Sequence, residues 1–81
     1  MMPQPDAETT RQIEELAAAI AELTAKRDAA EKRARELLAA EDPKAGVFHA
    51  QEIFAAKQEK LALDTDIEIA RRRRNRLLLP Q

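Results

Sequence analysis

The chain has 81 residues, and five residue types (Ala 17, Glu 10, Leu 9, Arg 9 and Lys 5) fill more than half of it. That is the composition of coiled coils and long helices. With 1 glycine, 2 aromatic side chains and no cysteine, it offers little for a β-rich or turn-rich fold and nothing for a disulfide framework, a thiolate metal site or a cysteine nucleophile.

The first residues, Met1-Met2-Pro3-Gln4-Pro5, lack the basic and apolar regions of a signal peptide. The longest apolar run, Leu16 to Ala21, is far short of a membrane span. A soluble, cytoplasmic protein without a membrane partner is expected. Residues 1–8, with Pro3 and Pro5, read as a flexible tail. Thr9 followed by Gln12 fits a capping box, so helix 1 is predicted over about 9–41; an earlier start at Asp6 is the alternative.

Asp42-Pro43 pairs an N-cap residue with the residue favoured at the first helical position, and Gly46 follows closely. The turn is therefore placed at 42–47. Helix 2 is predicted over about 47–78, with Pro80 stopping it. Two carboxylates, Glu41 and Asp42, stand at this tip.

Helix 1 carries Ile13, Leu16, Ile20, Leu23, Ala30, Ala34 and Leu37 on alternating steps of three and four, interrupted by Arg27. Helix 2 repeats the pattern with Ile53, Ala56, Leu63, Ile67, Ala70 and Leu77, interrupted by Lys60 and Arg74. These are the a and d positions of a coiled coil. Folding the chain at its turn brings the stripes together with partner numbers summing to 90: Leu37 meets Ile53, Ile20 meets Ala70, and Ile13 meets Leu77. Every a position then meets a d position, and no layer holds two charges. The flanking charges, which play no part in choosing this register, fall opposite in sign: Lys26 with Asp66, Arg33 with Glu59, Glu31 with Lys57. The predicted fold is all-α, an antiparallel two-helix hairpin.

A two-helix layer cannot fully bury its seam. Val47, Phe54 and Leu61 recur every seven residues beside it, with Ala50 between stripe and seam, where a small side chain allows close approach. This second stripe predicts an oligomer or partner surface, most simply a dimeric four-helix bundle. The run Arg71-Arg72-Arg73-Arg74-Asn75-Arg76 is the other conspicuous feature. Arg71, Arg72, Arg73 and Arg76 could contact phosphates. Successive side chains turn by ~100°, however, so the run does not form one face, and no aromatic residue lies near it to stack on bases. The bland reading is pairing with Glu14, Glu15 and the acidic N-terminal turn.

His49 is the single histidine. With no second ligand it makes no metal site, and with no nucleophile or phosphate loop beside it no catalytic site. No catalytic residue, cofactor, metal or small-molecule substrate is expected. The sequence thus predicts a non-enzymatic protein–protein interaction module, such as a small adaptor, regulator or assembly factor. The alternative is a nucleic-acid-binding regulator that uses the arginine cluster.

Overall fold

The computed structural model describes residues 6–79. Two long helices, α1 (Ala7–Ala39) and α2 (Ala50–Leu78), pack against each other and are joined by a tip holding one turn of 3-10 helix, Pro43–Ala45. The hairpin is a rod only 16 × 14 Å in cross-section. The chain is all-helical, as its composition requires.

Helix α1 begins two residues before the predicted capping box. Asp6, in extended conformation, accepts a hydrogen bond from the Thr9 amide at 2.7 Å and so satisfies one of the free donors of the first turn. Its short carboxylate is the better cap, and Glu8 in the same turn favours the positive end of the helix dipole. Residues 6–8 therefore belong to the capped helix rather than to a tail; the rest of the predicted tail, residues 1–5, lies outside the described residues. At the far end Leu79 is extended (φ −72°, ψ 140°), as suits a residue that precedes a proline. The predicted stop at Pro80 lies outside the described residues.

The tip is built by Asp42. Its amide and carbonyl both pair with Val47, each at 2.9 Å, and its side chain accepts from the Ala45 amide. Gly46 closes the turn in the left-handed region, φ 72° and ψ 24°, where a β-carbon would be disfavoured. Because Val47 is held in this closed loop, α2 cannot start there. It starts at Ala50, three residues later than predicted, and α1 ends at Ala39 rather than 41.

Every predicted seam position is buried or half-buried, on both helices, including Arg27, Lys60 and Arg74. The buried residues are Ile20, Ala30, Ala34, Ala56, Ile67 and Ala70. Ile20, Ile67 and Ala70 form the central cluster, with Leu16 and Leu23 packed against it. Towards the tip, Ala30, Ala34 and Ala56 let the helices approach closely. Of the three predicted cross-helix ion pairs only Arg33 with Glu59 closes, at 3.3 Å. Lys26 pairs instead with Glu22, and Glu31 with Arg35, each at 3.3 Å. Partners one turn away on the same helix are already at contact distance and win over partners across an exposed groove.

Candidate binding surfaces

Two of the three seam cations, Arg27 and Lys60, share one carboxylate. Asp64, beside Leu63, accepts from Lys60 at 3.1 Å and from Arg27 across the hairpin at 3.4 Å. Lys60 holds the Asp64 carboxyl below its ordinary value, with Arg27 adding to the effect. Asp28 chiefly, and Asp64 second, push the Arg27 guanidinium up. This three-residue band neutralises charges that interrupt the apolar seam. It ties α1 to α2 at this layer.

A carboxylate whose folded pKa is lowered stabilises fully above its unfolded value, about 3.9, and loses that contribution as pH falls through the folded pKa. Denaturation midpoints of the wild type and of Asp64→Asn, compared from pH 7 to pH 2.5, should therefore differ most at pH 7 and converge as pH falls through the folded pKa of Asp64. A constant difference across that range would show that the charge of Asp64 does not contribute to stability.

The tip carboxylates are engaged by backbone. Glu41 accepts from the His49 amide at 2.9 Å, and Asp42 caps the 3-10 turn. His49 is the N-cap residue of α2, with Nδ1 3.6 Å from Glu52. Around these groups the surface is apolar: Leu38, Val47, Phe48 and Phe54 are exposed at 61%, 40%, 63% and 64%. Ala50 and Leu61 are exposed as well. Helical spacing puts Leu38 of α1 and Ala50, Phe54 and Leu61 of α2 on one side of the hairpin. Val47 joins this surface from the loop, so the seven-residue stripe is a helical one only between Phe54 and Leu61. Leu38 and Phe48 are the additions that sequence reading missed. Leu38 was legible as the residue flanking Leu37 on the same side as Ala50.

The arginine run divides by direction. Arg72 pairs with Glu68 at 3.1 Å, and half-buried Arg74 occupies the seam. Arg71, Arg73 and Arg76 are exposed and meet no carboxylate within 4.0 Å among the described residues. The predicted partner Glu15 is taken by Arg11 at 3.1 Å. Arg71 lies two residues, about 200°, round the helix from Arg73. Arg73 and Arg76 instead line one open groove of about 560 Å³ with Leu16, Ala19 and Leu77.

Comparison with protein-family models, curated proteins and solved structures gives no match. Among the described residues no helix is long and apolar enough to cross a membrane, and no three His, Asp or Glu side chains gather as a metal site.

Proposed function

We propose that the hairpin is a non-enzymatic protein–protein interaction module, acting as an adaptor, regulator or assembly factor through the apolar side of its tip. One observation carries this reading: large apolar side chains stand exposed at the tip, outside a core built mostly of alanine. Four of the six buried residues among those described are alanines, and the large side chains among them are Ile20 and Ile67. Eight large apolar residues are exposed, four of them at the tip and Leu61 one helical heptad further along. Surfaces of this kind, rimmed by charge, mark protein contacts. Val47, Ala50, Phe54 and Leu61, joined by Leu38 and Phe48, form the contact.

A second copy is the simplest occupant, because the same side of another hairpin offers the same side chains and turns two helices into four. The full assembly is then a homodimeric four-helix bundle, with the best apolar match towards the tip. Light scattering over a hundredfold concentration range should give a mass approaching twice the 9.1 kDa chain at the upper end. A mass of one chain throughout would remove self-association from this proposal and leave a different protein as the occupant.

The nucleic-acid reading draws on the unpaired Arg71, Arg73 and Arg76. Their divergence is its weakness: a phosphate backbone running along one face could engage Arg73 and Arg76 together but not Arg71.

A further inference from the structure

We infer that the groove at the arginine end of the hairpin receives a short acidic amphipathic helix from a partner protein. The site stands apart from the tip surface and does not depend on it. Its apolar floor is made by Leu16 and Ala19 of α1 and Leu77 of α2, and Gln12 and Glu15 stand on the α1 side. On the α2 side stand Arg73 and Arg76, three residues apart and so on one face, with no carboxylate in contact among the described residues. The Glu15 charge across the groove is already matched by Arg11.

The chemistry of the occupant follows from these parts. Two unpaired guanidiniums call for carboxylates at matching helical spacing, since guanidinium and carboxylate pair with directional hydrogen bonds. The apolar floor calls for aliphatic or aromatic side chains beside them. Both walls are helices whose backbone groups are already bonded, so an extended segment would gain no main-chain partners, and a helix laid in the groove is the fitting mode. The α1 wall runs from Gln12 to Ala19, two turns or about 10 Å at 1.5 Å per residue, which sets the length of the contact. A nucleic acid fits less well. It has phosphates for the two arginines but nothing for Leu16, Ala19 and Leu77, and no aromatic side chain lies here to stack on a base.

The test uses a phage-displayed library of random peptides selected on the full chain. Selected peptides are then measured by fluorescence anisotropy, with helicity of each variant checked by circular dichroism. The expected winners carry Asp or Glu next to apolar residues at spacings of three or four. Their affinity falls at least about tenfold, 1.4 kcal/mol, for Arg73→Gln/Arg76→Gln. Ala19→Glu, which places a carboxylate in the groove without touching either arginine, weakens them as well. Arg71→Gln/Arg72→Gln, an equal loss of charge outside the groove, leaves them unchanged. Three results overturn the inference: no enrichment, winners without acidic residues, or winners that bind the Arg73→Gln/Arg76→Gln variant as well as the wild type. Duplex DNA or phosphatidylserine vesicles that bind more tightly than the peptides, and lose binding with the same two substitutions, would reassign the site to phosphate.

Discussion

Ile67→Asp should abolish most of the helical circular dichroism signal at 25 °C. Ile67 is 5% exposed and packs with Ile20 and Ala70 in the central cluster. The substitution removes one of the two large buried side chains and leaves a carboxylate where water cannot reach it. Deleting the aliphatic group alone costs about 2–5 kcal/mol. An unpaired buried charge adds several more, unless the site opens to admit water. A hairpin whose other buried groups are mostly alanines has little stability to lose. Ile69→Asp is the matched control. Ile69, two residues on, is 46% exposed on the outer surface, and its replacement should change stability by no more than about 0.5 kcal/mol. Equal helicity in the two variants would show that the seam does not run through Ile67.

Phe54→Asp should do the opposite: keep the helices and dissolve the assembly. Within one hairpin Phe54 is 64% exposed, so its loss is nearly neutral for folding. In a symmetric dimer the same change is made twice. Replacing a central interface aromatic costs about 2 kcal/mol or more on each side, so about 4 kcal/mol in total, or roughly a thousandfold in dissociation constant. The scattering mass should fall to that of one chain at concentrations where the wild type is paired, with an unchanged circular dichroism spectrum. If both properties fall together, the single hairpin does not hold its helices without its partner. An unchanged mass would place the contact elsewhere.

The seam was the most legible part of this molecule because periodicity acts on every turn of both helices and each layer checks the next. The single register that predicts Leu37 opposite Ile53 and Ile13 opposite Leu77 also gathers Ile20, Ile67 and Ala70, which form the central cluster, and Leu23, which packs against it. The ends were less legible, since single local hydrogen bonds decide them. Asp6 rather than Thr9 caps α1, and the pairing of Asp42 with Val47 moves the start of α2 to Ala50. The spacing from Asp42 to Gly46 holds the signal: an Asp that can cap a turn, then a residue able to take positive φ to close it.

Asp64 was missed for another reason. Counting charges layer by layer shows no like-charged pair, but it does not ask what neutralises Arg27 and Lys60 in adjacent layers. Asp64 is four residues beyond Lys60 and opposite Arg27, and that question would have found it. The arginine run shows the converse. Conspicuous in sequence as one feature, it is split by the helix into a paired side chain, a seam side chain, an outlier and two that share a groove.

If the apolar side of the tip is a contact, it must be covered when the protein is at work. The absence of native cysteine makes thiol labelling a clean probe. Ala50→Cys reports on that side, and Ala55→Cys on the opposite side of the same helix; both positions are exposed in the single hairpin. At concentrations where the mass is doubled, the Ala50→Cys variant should label at least about tenfold more slowly than the Ala55→Cys variant, a 1.4 kcal/mol difference in protection that vanishes on dilution. Equal labelling rates of the two variants at every concentration, in samples whose mass is doubled, would contradict a contact at the tip.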